Sequence, residues 1–186
     1  MKVLREVLIY IVVGAGLYSL MQLTMQNYTV VYTSMLPGIH QGDWVRVEKV
    51  TYWFSDPKRG DVIVLEPPQG ASETPYIKRI IGLPGDRVEV VNGKVIVNGR
   101  ELYEPYISAP PRYTFGPVTV PPENYFVLGD NRNNSVDSHG GWTVPRQNII
   151  GKAWFIYWPP SRWGLVPNYD LASQGIPDPT PIKSKK

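Results

Sequence analysis

No cysteine occurs among the 186 residues, and histidine appears only at His40 and His139. The first absence excludes a disulfide scaffold, a cysteine nucleophile and cysteine-ligated zinc or iron–sulfur clusters. The second leaves little from which to build a Ser-His-Asp triad or a histidine metal site. The carboxylates are scattered without metal-ligand spacing, so neither a metal nor any other cofactor is expected. Charge of one sign is also scarce. A net charge of +3 is too weak to point to nucleic acid, and Lys183, Lys185 and Lys186 account for part of it as a solvated tail. Abundant instead are 17 glycines and 19 prolines. That excess disfavours a helical bundle and favours short strands joined by turns.

Long apolar runs are limited to one. Residues 7–23 carry no charge, and Lys2, Arg5 and Glu6 precede them. Such a stretch spans roughly 25 Å as a helix, slightly less than a hydrocarbon layer. Val3, Leu4, Thr24 and Met25 extend it, and Tyr10 and Tyr18 suit the two interfaces. A cleaved signal peptide needs a small-x-small site after its apolar run, and Gln22-Leu23-Thr24-Met25-Gln26-Asn27 offers none. A buried core helix is the other competitor. We read residues 1–25 as a short cytoplasmic stub and a retained membrane anchor. Lys2 and Arg5 lie before the helix and the next positive residue is Arg46, which places the N-terminus in the cytoplasm and the rest across the membrane.

Residues 26–168 read as one mainly β domain, an antiparallel sheet of barrel-like character following the single transmembrane helix. Strands are expected around Trp44-Val45-Arg46-Val47, Val62-Ile63-Val64-Leu65, residues 76–81, Tyr125-Phe126-Val127-Leu128 and residues 153–158. Arg87-Val88-Glu89-Val90-Val91, Asn92-Gly93 and Lys94-Val95-Ile96-Val97 form a hairpin signature, because Asn-Gly tolerates the positive φ angles of a two-residue turn. Residues 103–122, rich in Pro and Tyr, read as an irregular excursion, and 169–186 as a flexible tail.

With cysteine excluded, a nucleophile would be Ser or Thr. Ser34 ends an apolar and aromatic run and precedes the turn Met35-Leu36-Pro37-Gly38. A lysine can serve as base only if burial strips its charge. Lys78 sits among apolar strand residues in Tyr76-Ile77-Lys78-Arg79-Ile80-Ile81-Gly82, facing away from Ile77 and Arg79 if the strand alternates. Spacing alone favours an ordinary turn serine and a half-exposed lysine in an ion pair. In Asp137-Ser138-His139, a structural Asp–His pair is the commoner reading. The run from Gly129 to Gly141 is dense in short hydrogen-bonding side chains, which suit an irregular loop supporting a site.

Together these segments resemble the type I signal peptidases. Ser34-Met35-Leu36-Pro37 with Gly42-Asp43 is similar to their serine segment, and Arg59-Gly60-Asp61-Val62-Ile63-Val64 to the next block. Residues 76–86 resemble the lysine block, and 129–138 the block that closes the site. The order matches, and an anchor precedes the serine. Asp137-Ser138-His139 and Tyr157-Trp158-Pro159-Pro160 look most like the cyanobacterial and plastid-thylakoid branch.

The resemblance implies a membrane-anchored serine endopeptidase that removes signal peptides from exported preproteins. Its partners would be those preproteins and membrane lipid. The site would lie on the periplasmic or lumenal side of a plasma or thylakoid membrane. Ser34 would be the nucleophile and Lys78 the general base and acid. Ser135 would hydrogen-bond the Lys78 amine, and Asp137 would brace the loop. Val30, Met35 and Ile77 would wall pockets for small residues at the first and third positions before the cut. The Ser34 backbone N–H would be one oxyanion donor. Many family members place a second, serine donor where this chain has Tyr32, which is no like-for-like replacement, so the second donor is unknown. His139 replaces a common Arg and Asn133 a common Asp. From Leu23 to Ser34 the chain reaches at most about 36–40 Å, which keeps the serine near the bilayer. Two other readings stay open: a catalytically inactive membrane-anchored β-module that binds proteins, and a self-cleaving Ser–Lys regulator.

Overall fold

In the computed structural model the described residues are 2–68 and 72–177. The apolar run forms α1 (Lys2–Thr24), 23 residues with none buried, long and apolar enough to cross a membrane. At 1.5 Å per residue it is roughly 34 Å long, against about 30 Å of hydrocarbon. It passes without a linker into β1 (Met25–Thr29). The Lys49 N–H donates to the Thr24 carbonyl at 3.0 Å, so the helix end is tied directly to the β domain.

The strands follow the alternation of the sequence. In β2 (Trp44–Glu48) Val45 and Val47 are buried and Trp44 is exposed. A short helix, α2 (Thr51–Phe54), leads towards β3 (Val62–Leu65) and β4 (Tyr76–Gly82). The hairpin β5 (Arg87–Val91) and β6 (Lys94–Val97) turns at Asn92 and Gly93, with φ of 51° and 76°, the left-handed pair that such a turn requires. Then come β7 (Arg100–Glu101), β8 (Phe115–Thr119), β9 (Asn124–Leu128), β10 (Val144–Pro145), β11 (Ile149–Trp158) and β12 (Gly164–Leu165).

The strands make two antiparallel sheets. The larger runs β1-β2-β11-β3-β4-β9-β10, with β12 on β11; the smaller runs β7-β6-β5-β8. β4 departs from simple alternation, since all seven of its residues are buried. The cause is that it serves three apolar clusters. Ile77 packs with Val30, Met35, Val45 and Val64, Ile80 with Ile63 and Val127, and Ile81 with Val88 and Val90 of the smaller sheet. A lysine at its centre is therefore buried rather than half exposed.

Two segments differ from expectation. The stretch 103–122 contains a strand, β8, which sits at the edge of the smaller sheet. That position tolerates Pro117, which has no N–H for a second ladder. Part of 169–186 is also packed, since Tyr169 and Leu171 join the apolar cluster around Val88. Residues 178–186 lie outside the described residues.

Candidate active site

Ser34 follows Val30, whose N–H donates to the Asp43 carbonyl at 2.8 Å and ends the ladder begun by β1. The chain then turns, with the Leu36 N–H on the Thr33 carbonyl at 3.3 Å and the Ile39 N–H on the Met35 carbonyl at 3.0 Å. Met35 and Ile39 are buried and seat the turn. Ser34 itself is only 5% exposed. Lys78 comes from β4, opposite Ile63 of β3. Its Nζ lies 2.7 Å from Ser34 Oγ and 3.0 Å from the Ile77 carbonyl oxygen, at 3% exposure. The Tyr76 ring centroid is 5.0 Å from the same nitrogen. Burial lowers the Lys78 pKa from 10.5 to about 8, against the opposing pull of Asp137 and Asp130.

The loop after β9 clamps this pair. The Asn131 N–H donates to the Ser34 carbonyl at 2.9 Å, and Asn131 Nδ2 to the Thr33 carbonyl at 3.1 Å. Asn134 Nδ2 donates to Thr33 Oγ1 at 3.2 Å. Gly129 makes the approach possible: a Cβ there would stand 2.5 Å from the Ser34 carbonyl oxygen and collide with Ser135 Oγ. Asp137 is fully buried, and its carboxylate accepts the Gly129 N–H at 2.9 Å and the His139 N–H at 3.2 Å. The His139 ring places Nδ1 2.6 Å from the same carboxylate. It also stacks on Tyr113 at 4.3 Å. The hydrogen bond to Asp137 raises the His139 pKa.

Ser135 differs from expectation. Its buried Oγ has no hydrogen-bond partner among the described residues, while the Lys78 amine is directed at Ser34 and the Ile77 carbonyl. Ser135 is packed against Gly129 and borders the same chamber as Lys78.

Sequence reasoning missed the ionic scaffold beneath the loop. Arg79, next to Lys78, grips Asp130 with both ends of its guanidinium, at 2.8 and 2.7 Å. It also donates to the Gly60 and Pro167 carbonyls and lies 4.2 Å over the Tyr106 ring. Arg132 grips Glu104 at 2.6 Å through each of two nitrogens. Asn133 joins the loop to the segment before β8, accepting the Arg112 N–H at 2.7 Å and donating to the Pro110 carbonyl at 3.0 Å. The available signal was the density of Arg and Asp in residues 129–137; their partners Glu104 and Tyr106 lay in a stretch read as irregular.

Two cavities adjoin the serine. An open chamber of about 540 Å³ is bordered by Ser34, Lys78, Thr33, Asn134 and Ser135. A smaller one of about 110 Å³ is walled by Val30, Val45, Val64 and Ile77. Tyr32 and Tyr76 border both. Of the three expected pocket residues, Val30 and Ile77 line the smaller cavity, whereas Met35 is fully buried in the apolar cluster beneath. No group of three or more potential ligand side chains for a metal ion occurs among the described residues.

A buried amine of reduced basicity, within hydrogen-bond reach of a serine hydroxyl beside an open chamber, is the equipment of a nucleophilic serine hydrolase. The comparisons with known proteins agree in class and narrow it. The family described as signal peptidase, peptidase S26, matches residues 2–158. The chain is 49% identical over 137 residues to signal peptidase I of Leptolyngbya laminosa, covering 70% of this chain and 68% of that one. It is 48% identical over 138 residues to probable signal peptidase I-2 of Synechocystis sp., covering 72% of this chain and 63% of the relative. It is 42% identical over 148 residues to probable thylakoidal processing peptidase 2 of Arabidopsis thaliana, covering 76% of this chain and 40% of that longer one. A crystal structure of a signal peptidase I from Enterococcus faecalis V583 superposes with a TM-score of 0.46 at 31% identity, covering 53% of this chain and 97% of that chain. The chain belongs to the signal peptidase family, peptidase S26.

Proposed function

We propose that this protein is a membrane-anchored signal peptidase that cuts exported preproteins through a Ser34–Lys78 acyl-enzyme mechanism. The observation that carries the reading is the 2.7 Å approach of a buried Lys78 amine to Ser34 Oγ. Neutral Lys78 takes the Ser34 proton as Oγ bonds to the scissile carbonyl carbon. The resulting oxyanion is met by the Ser34 backbone N–H. Lys78 then delivers the proton to the leaving amine as the C–N bond breaks, and next draws a proton from the water that releases the acyl group. Asp137 acts at one remove, holding Gly129 and His139 and so the loop that clamps Ser34.

A small, valine- and isoleucine-walled cavity beside the serine suits a preference for small side chains at the first and third positions before the cut. Lys2 and Arg5 in the first turns of α1, ahead of its uncharged run, support a cytoplasmic N-terminus with the site on the periplasmic or lumenal face. The plasma and thylakoid membranes both fit. Incubating the full chain in lipid vesicles with a preprotein that bears a small-x-small site is expected to give one new N-terminus at that site. No cleavage, or cleavage elsewhere, would count against the reading.

The lowered lysine pKa gives the reading a pH dependence. The working form is the neutral amine, which grows as pH rises through about 8. At pH 7 only about a tenth of the amine is neutral, and the rate constant kcat/KM is expected to climb close to tenfold per pH unit below that point and level off above it. A profile that is flat from pH 6 to 9 contradicts Lys78 as the base.

A further inference from the structure

The two cavities that meet at Ser34 share a pair of tyrosine rings in their walls, and one of the pair is half exposed. Tyr76 is 7% exposed and fixed within β4, whereas Tyr32 is 48% exposed on the segment leading into Ser34. The rings meet edge to face, with centroids 6.2 Å apart at 88°. The Tyr32 hydroxyl reaches across the cleft to Thr74 Oγ1 at 3.5 Å, a long contact. Thr74 Oγ1 is itself 2.9 Å from Ser72 Oγ. Tyr32 therefore spans from the serine segment to the chain entering β4. Its ring borders both the open chamber and the 110 Å³ apolar cavity, and the Ser34–Lys78 pair lies where the two adjoin.

We propose that Tyr32 is a specificity-determining residue: its ring caps the small apolar cavity and restricts it to short peptide side chains. This rests on the signal peptidase reading of the site and adds to it the residue that sets how small a side chain must be. Tyr76, Val30 and Ile77 are buried and form the inner walls. Among the exposed wall residues, which include Val31 at 47% exposure, Tyr32 is the bulkiest and also borders the open chamber, so its size bears most on the volume left for substrate. Removing the ring joins the small cavity to the open chamber, and a longer side chain then has room. Discrimination of one or a few carbons in an apolar pocket is worth roughly 10–200-fold, so the change is large enough to read.

The test uses three preproteins identical except at the cut: Ala at both the first and third positions before it, Leu at the first, and Leu at the third. The quantity read is the cleavage rate of each Leu substrate divided by that of the Ala substrate. Full-length wild type should give a very small ratio for both. Tyr32→Ala should raise at least one ratio by roughly tenfold or more, and Tyr32→Val, which keeps a larger side chain in the segment, should raise the same one. Tyr32→Phe, which keeps the ring and loses the Thr74 contact, should stay within about threefold of wild type. Unchanged ratios in both truncations overturn the inference while leaving the peptidase reading standing. A Tyr32→Phe ratio as high as that of Tyr32→Ala also overturns it, since the hydroxyl and not the ring would then set the limit. If wild type cleaves no substrate, both the reading and the inference fall.

Discussion

Replacing Ser34 by Ala, or Lys78 by Met, is expected to cut preprotein cleavage by about 10⁴-fold or more, with the double variant scarcely worse than either alone. In the proposed mechanism the two side chains share one event, a proton leaving Oγ for Nζ as Oγ attacks. Removing either stops the same step, and losses from residues that act as a unit do not add. Folding should survive in both variants, and Lys78→Met should be the more stable protein at neutral pH. Burial has moved the Lys78 pKa from 10.5 to about 8. Below pH 8 the folded protein therefore holds a charged amine that water would hold at lower free energy, and this cost disappears only as pH rises from 8 towards 10.5. Met fills similar space without that cost. Cleavage assays paired with thermal unfolding at pH 6 and pH 10 check both halves. Near wild-type cleavage by either single variant removes the mechanism, and a Lys78→Met protein less stable than wild type at pH 6 contradicts the burial argument.

Local pattern carried most of the sheet. Alternating valines in 44–48 and 87–97 and the Asn92-Gly93 turn set strands and one hairpin where the structure has them. What local pattern does not contain is distance. Ser34 and Lys78 are 44 positions apart, and neither stands out from an ordinary turn serine or strand lysine by its neighbours. Likeness of several blocks in order to one family was what put them together. β8 stayed hidden because Gly116 and Pro117 interrupt its run, and an edge strand can afford both. Glu104, Tyr106 and Tyr169 stayed hidden for a related reason. Their partners are charges on a distant strand and loop, so nothing in their own segments marks them as packed. Ser135 shows the opposite error, since a role carried over from resemblance supplied a hydrogen bond to Lys78 where the structure leaves the hydroxyl packed against Gly129.

Arg79→Met is expected to destabilise the protein by roughly 3–5 kcal/mol, the usual cost of leaving one charge of a buried pair alone. Arg79 and Asp130 are both about fully buried, at 0% and 1% exposure, and desolvation already pushes the Asp130 carboxyl up against the pull of Arg79. Without the guanidinium nothing comparable holds the ionised form, so the carboxyl should protonate at a still higher pH. A folded-state pKa above the unfolded value confers stability that is present at low pH and lost as pH rises through the folded pKa. The variant should accordingly be closest to wild type in acid and furthest from it above neutrality, with Asp130→Asn in the same background restoring part of the loss at high pH. Denaturant unfolding of the three proteins at pH 5 and pH 8 measures this, and a deficit independent of pH would show that lost packing over Tyr106, rather than a stranded charge, is the cause. Cleavage should fall alongside stability, because Asp130 leads directly into the Asn131 N–H that holds the Ser34 carbonyl at 2.9 Å. The buried pair thus ties the strand that carries Lys78 to the loop that clamps Ser34, and in the proposed mechanism separating those two by about 1 Å is enough to cost on the order of 10²-fold in rate.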